Sequence, residues 1–449
     1  MTVAAELADY LTSTHFDDLP PLAVERAQMI IASTLASAAA GSEISSTNMI
    51  RDLEKERGGA PEASIWFDAG PKLPIADVAR VNAVMSDSAA SDDSDLRNIA
   101  HIGTIVTATS LAMAERTGAS GRDVLAAMVL GYEIAGRIGE AATPGYGERG
   151  FHGCVVTIFG GTVATGTLLH LSRPQMAQAI AIAATSIGGL GMAANTSLAR
   201  EYHAGLSAML GVNAAMAAQK GYIAEESVLE GSHGYFETFG GHEVESVTRD
   251  LGKTWDITTH MGIKLVPGAH SYHAAAEAAT SAAITGVVDP DAVEAITVSG
   301  PQFSALRGPV HPDDLIGAAH SLPHFLASAV ADRDFSWVHA GSEKLSDPRI
   351  ARLREKVRVD GPYEGNLKGV ESRYGATVTI KTRDGASFSS TVGAPRGSGA
   401  RGIEWADVDA KFRTLTAATL PLQRIDGCLN VIHRLDRLTA ISELAAMLH

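Results

Sequence analysis

A run from Gly153 to Leu171 carries no Asp, Glu, Lys or Arg, and the stretch from Pro174 is just as small and uncharged. Nothing else in the sequence constrains the fold so strongly. The length satisfies what a bilayer-crossing helix needs. However, its glycines, its threonines and His170 argue for two helices buried at the centre of a bundle. The rest of the chain agrees. Alanine and glycine are abundant while aromatics make up 5%, a balance suited to closely packed helices more than to a β-sandwich.

The helical pattern recurs through the N-terminal half, over Leu22 to Ala40, Lys72 to Ser91, Ile105 to Thr117, Asp123 to Ala141, Pro174 to Ile187 and His203 to Lys220. Breaks fall at turn-forming groups such as Gly118-Ala119-Ser120-Gly121 and Thr143-Pro144-Gly145. Ser120 and Asp123 sit where the following helix needs capping acceptors. Past Pro267 the character changes. Val293 to Val298 alternates like a strand, and Ala376 to Lys381 and Ser387 to Val392 flank a turn containing Asp384-Gly385, a hairpin signal. Helix returns after the Gly- and Arg-rich segment from Pro395 to Gly402. At 449 residues the chain exceeds one compact core. The expected architecture is mainly α: a discontinuous helical domain (1–267 and 398–449) and a smaller α+β domain (268–397).

A formal net charge of −15 argues against nucleic acid or an anionic membrane as partner. Cys154 and Cys428 are far apart and in no motif, so a disulfide framework is not expected and a reducing cytoplasm is. The N-terminus lacks the basic segment of a signal peptide.

Several familiar patterns fail on context. Gly145-Tyr146-Gly147-Glu148-Arg149-Gly150 spells a dinucleotide fingerprint, but it follows a helix where a strand is required, so a flexible loop is expected. Asp93-Ser94-Asp95 opens like a calcium loop, but Arg97 and Thr104 occupy ligand positions. His270 and His273 have no third ligand by spacing. No metal site and no organic cofactor are expected.

Four local patterns carry chemistry. They are Ser91-Asp92-Asp93-Ser94-Asp95 with His101-Ile102-Gly103; Gly150-Phe151-His152-Gly153; Arg200-Glu201-Tyr202-His203-Ala204-Gly205; and Lys264-Leu265-Val266-Pro267 leading to His270-Ser271-Tyr272-His273. Their order and spacing, with Gly131-Tyr132-Glu133 and Asp409-Ala410-Lys411-Phe412, resemble the MmgE/PrpD family over nearly the whole chain. That family includes 2-methylcitrate dehydratases, cis-aconitate decarboxylases and iminodisuccinate epimerase. The resemblance implies a helical domain, a smaller α+β lid, a site in the cleft between them, a homodimer, a small polycarboxylate substrate and chemistry without metal.

Residue by residue, the family pattern falls on Asp93, His101 (with Ile102 replacing a proline), His152, His203, Lys264 and His273. Arg200 stands where the family has lysine, Leu206 where arginine is usual, and His270 sits beside the position of a second loop histidine. The resemblance therefore implies His101, His152, Lys264 and His273 as catalytic groups, with Asp93 orienting a histidine or its loop. Tyr146 is a further acid–base candidate, and Arg200, His203, His270 and Tyr272 are substrate-binding candidates. Arginine stays charged and clasps carboxylates in paired hydrogen bonds. Its presence at 200 shifts the expectation from loss of water or CO2 toward proton exchange at a carboxylate-adjacent carbon. The expected activity is a cofactor-independent epimerase of iminodisuccinate type. The alternative is a lyase, either a 2-methylcitrate-type dehydratase or a cis-aconitate-type decarboxylase. A non-catalytic carboxylate-binding protein is the third reading.

Overall fold

The computed structural model describes residues 1–360 and 371–448. Helix predominates over strand among them, so the chain is mainly α with a smaller α+β part. It divides into two compact units, Met1–Met261 with Trp405–His449, and Gly262–Glu404.

The first unit is built from α1 (Pro21–Gly41), α2 (Ile75–Ser88), α3 (Ile102–Thr117), α4 (Gly121–Ala142), α5 (Cys154–Leu168), α6 (Arg173–Ala184) and α7 (Ala199–Gln219). The uncharged run becomes α5, which packs against α3, α4, α6 and α7. No helix among the described residues is long and apolar enough to cross a membrane. Small side chains set the crossings. A Cβ on Gly131 of α4 would stand 2.7 Å from the Gly160 carbonyl oxygen, and one on Gly211 of α7 would stand 3.0 Å from the Ile158 carbonyl oxygen. Backbone therefore lies nearly on backbone, at a spacing only glycine permits.

The breaks work as the sequence implies. Gly118 ends α3 in the left-handed conformation at φ +68°. The Ser120 hydroxyl then accepts from the Asp123 amide while the Asp123 side chain accepts from the Ser120 amide, a complete capping box at the start of α4. Other boundaries move. α2 begins at Ile75, after Pro74, and not at Lys72. Gly145–Glu148 forms a single helical turn where a loop was expected. The helix Trp405–Thr416 packs on α1.

In the second unit, α8 (His273–Thr285) and α9 (Leu322–Asp332) pack together, and α8 lies against a four-stranded sheet. Its strands, β1 (Val293–Ser299), β2 (Val357–Val359), β3 (Ala376–Thr382) and β4 (Ser387–Val392), are ordered β2-β1-β3-β4. β1 and β2 run parallel, with Ile296 opposite Val357. The β3–β4 hairpin is antiparallel, with Ile380 opposite Phe388, and turns at Gly385 with φ +89°. Alternation along β1 and β3 sends Ile296, Val298, Val378 and Ile380 into a core shared with α8 and α9.

Candidate active site

The acidic segment ahead of α3 is buried throughout, and its two adjacent aspartates do different jobs. Asp92 Oδ2 lies 2.6 Å from His101 Nδ1 and accepts from the Thr104 hydroxyl at 2.9 Å. Asp93 accepts from the Gly103 and Thr104 amides at 2.9 and 3.2 Å, holding the first turn of α3. A Cβ at Gly103 would sit 2.6 Å from the Asp93 carboxyl carbon, so glycine is what lets the carboxylate close on the helix start. An ionised carboxylate only accepts, so the contact places an N–H on Nδ1 and leaves Nε2 as the other ring nitrogen. Asp87, at the end of α2, stands 3.6 Å from the same Nδ1.

The segment is braced from several directions. Lys411, buried in the helix Trp405–Thr416, donates to the Ser33 hydroxyl at 2.7 Å and to the backbone carbonyls of Ser91 and Asp92. Tyr146 is buried, and its phenol donates to the Asn98 carbonyl. Further on, burial raises the Asp95 carboxyl to about 6, against the pull of neighbouring Arg97.

Arg200 sits on α7, only 5% exposed. Its Nε donates to Asp87 Oδ2 at 3.1 Å, and one terminal nitrogen reaches the Asp87 and Ser88 carbonyls at 2.8 and 3.1 Å. The guanidinium thus caps the end of α2 and neutralises the aspartate beside His101.

A second pair of imidazoles lies in the same unit. His152 just precedes α5 and His203 lies one turn into α7, with ring centroids 5.3 Å apart at 40°. The His152 amide donates to the Gly189 carbonyl at 2.8 Å, which ties the two connections together. Burial pushes the His203 imidazole below its usual pKa, with Asp87 pulling the other way.

In the α+β unit, Lys264, His270 and His273 are buried. The His270 and His273 rings are 4.7 Å apart, and a cavity of about 380 Å³ opens beside His273, lined also by Val266, Glu277, Phe335 and Arg396. Tyr272 faces elsewhere. Its ring packs edge-on to Phe325 at 5.4 Å within the apolar core, and burial raises its phenol pKa.

The structure thus joins His101 to Asp92 and His152 to His203, gathers His270 with His273, and engages Arg200 with Asp87. Asp93, expected to orient a histidine or its loop, holds the helix start after His101, whereas Asp92 and Lys411 were given no role although the quoted motifs held both. The helical unit thus holds a carboxylate-bound imidazole and a second imidazole pair, side chains of the type that serve as general acids and bases.

Both units answer to one family. Residues 5–246 match the MmgE/PrpD N-terminal domain and residues 267–432 the MmgE/PrpD C-terminal domain, so the chain belongs to the MmgE/PrpD family. Among similar proteins is the cis-aconitate decarboxylase of Aspergillus terreus, 26% identical over 479 residues, covering 100% of this chain and 96% of the relative. The cis-aconitate decarboxylases of Homo sapiens and Mus musculus are each 23% identical, covering 95% of this chain and 90% and 89% of theirs.

These relatives overturn the expectation of an isomerase of the iminodisuccinate epimerase type, since full-length likeness runs to proteins named as lyases. The physical reason lies at Arg200. The epimerase reading took it as a substrate clamp that changes the reaction, whereas its hydrogen bonds are to Asp87 and the end of α2. A side chain engaged in that way is poor evidence for one reaction class over another.

Proposed function

We propose that this chain is a cofactor-independent lyase that decarboxylates a small unsaturated polycarboxylate of the cis-aconitate type. The observation that carries this reading is the 2.6 Å contact between Asp92 and His101, in a chain whose whole length resembles cis-aconitate decarboxylases. Breaking the bond to the departing CO2 leaves an electron pair. In cis-aconitate that pair becomes a new double bond, the pair of the old double bond takes up a proton at carbon, and the alkene shifts by one position. One proton enters and one CO2 leaves. The substrate's own double bond is the electron sink, so the reaction needs no external one.

What the protein must supply is a proton at the right carbon and charge compensation for the carboxylates. His101 is suited to the first task, because the Asp92 carboxylate fixes the orientation of its imidazole from the Nδ1 side. His152 and His203 form a second proton-handling pair, with His203 disposed by burial to the neutral form. Asp93, Tyr146, Lys411 and Arg200 position that machinery. Lys264 is read as a carboxylate-binding cation, and His270 and His273 as groups supporting it.

The test is incubation with cis-aconitate in deuterium oxide, followed by proton NMR and trapping of CO2. One CO2 released per substrate consumed, with one deuterium on product carbon, is expected. Unchanged cis-aconitate would sink the reading.

A further inference from the structure

Cys154 stands in no sequence motif, yet the fold sets it beside two imidazoles. The ligand atoms of His152, Cys154 and His203 all lie within 4.8 Å of one another. Tetrahedral coordination by two imidazole nitrogens and a thiolate places ligand atoms roughly 3.3–3.8 Å apart, from metal–ligand bonds of about 2.0–2.3 Å. Two of the ligands flank Gly153 at the start of α5, and the third comes from α7.

Gly189 shapes the space between them. A Cβ there would stand 2.6 Å from Cys154 Sγ and 2.9 Å from His203 Nδ1. That Nδ1 is buried and has no hydrogen-bond partner among the described residues. Cys154 is 2% exposed and its thiol makes a long contact, 3.7 Å, to the His152 carbonyl. A second group, Asp87, Asp92 and His101, is equally close-set, but its members are already satisfied by one another and by Arg200 and Thr104.

We propose that His152, Cys154 and His203 form a binding site for a thiophilic cation of the zinc class, whose occupancy shuts down the proton chemistry of the two histidines. One thiolate and two imidazoles select zinc over magnesium or calcium, which prefer oxygen. Three protein ligands leave a fourth position for water. On binding, the Cys154 thiol releases its proton to solvent and the histidines commit lone pairs to the metal. Inhibition rests on the decarboxylase reading; binding does not.

Cobalt(II) is the probe, because a cobalt–thiolate bond gives a near-ultraviolet charge-transfer band that cobalt on imidazoles alone does not. The metal-free full chain is titrated with cobalt, then with zinc. One cobalt per chain, with the band present in the wild type and in Cys428→Ser but lost in Cys154→Ser, is expected, with zinc displacing it. Gly189→Ala, which fills the gap while keeping every ligand, is expected to lose the band too. Circular dichroism checks that each variant is folded. Absence of the band from the wild type, or its persistence in Cys154→Ser, overturns the site. In the activity arm, zinc abolishes CO2 release by the wild type and spares whatever release Cys154→Ser retains. A wild type that binds cobalt as described but releases no CO2 refutes the decarboxylase reading and leaves the metal site standing.

Discussion

His101 and His324 are both held by hydrogen bonds, one in each unit, and the difference between their partners separates the histidine proposed to do chemistry from a structural one. His101 Nδ1 meets the Asp92 carboxylate with Asp87 beyond it. Both of these neighbours are carboxylates on the Nδ1 edge of the ring. His324 Nε2 donates to the His339 carbonyl at 2.7 Å, while Nδ1 accepts from the Arg354 guanidinium at 3.0 Å. Protonating Nδ1 would break that bond beside a fixed cation. Burial first, and then the charge of Arg354, push the His324 pKa down to about 4 against the upward pull of the His339 carbonyl. The lesson is that proximity to polar groups does not make a histidine catalytic; the sign of the partner does.

The largest effect expected from this contrast is on turnover. His101→Gln should lower kcat for CO2 release by about 10²–10⁴-fold, the usual worth of a positioned acid, whereas His324→Gln should leave kcat close to wild type. Equal losses would erase the distinction.

Arg200→Met tests the cation beside the chemical histidine. If Arg200 chiefly neutralises Asp87, its removal strands a buried carboxylate and costs about 3–5 kcal/mol of stability in denaturant titration. A stable variant with a raised KM would return Arg200 to substrate binding.

The structural histidine should show in acid. Unfolded His324 takes a proton below pH 6.5, whereas the folded chain resists until about 4. Its contribution is therefore complete above pH 6.5 and is lost as pH falls toward 4, by about 3 kcal/mol over that window. Unfolding titrations at pH 7 and 4.5 should show a smaller acid loss in His324→Gln than in the wild type. Parallel curves would mean that other groups govern the acid limb.

Smallest is the cap. The Ser321 hydroxyl accepts from the His324 amide at 3.1 Å, and Ser321→Ala should cost about 1 kcal/mol without touching turnover. A fall in CO2 release would show that the structural histidine reaches the chemistry after all.

How far the sequence could be read varied with the range of the interaction. The capping box at Ser120 and Asp123 and the hairpin at Asp384-Gly385 were legible because each depends on residues a few positions apart. The strand Val357–Val359 was not, since three residues after a helix carry no period. Nor was the polar helix Ser45–Arg57, which lacks a strong apolar stripe. In the site, Asp93 was read as orienting a histidine or its loop; it holds the helix start that follows His101, while Asp92, given no role, contacts the ring. The two carboxylates divide between neighbouring targets, one taking the imidazole and the Thr104 hydroxyl and the other the Gly103 and Thr104 amides, a difference no motif encodes. Arg200 misled for the complementary reason: its charge was visible, but Asp87, 113 positions away, was not. Cys154 looked inert because its neighbours His152 and His203 come together only in the fold.

Lys411 has a consequence for how the protein is made. It holds the backbone of Ser91 and Asp92 from 320 and 319 positions further along the chain. On the ribosome the segment bearing Asp92 emerges early, yet the ammonium that fixes it arrives only after the whole α+β unit has been translated. A nascent chain therefore carries the aspartate and histidine of this segment long before Lys411 can brace them.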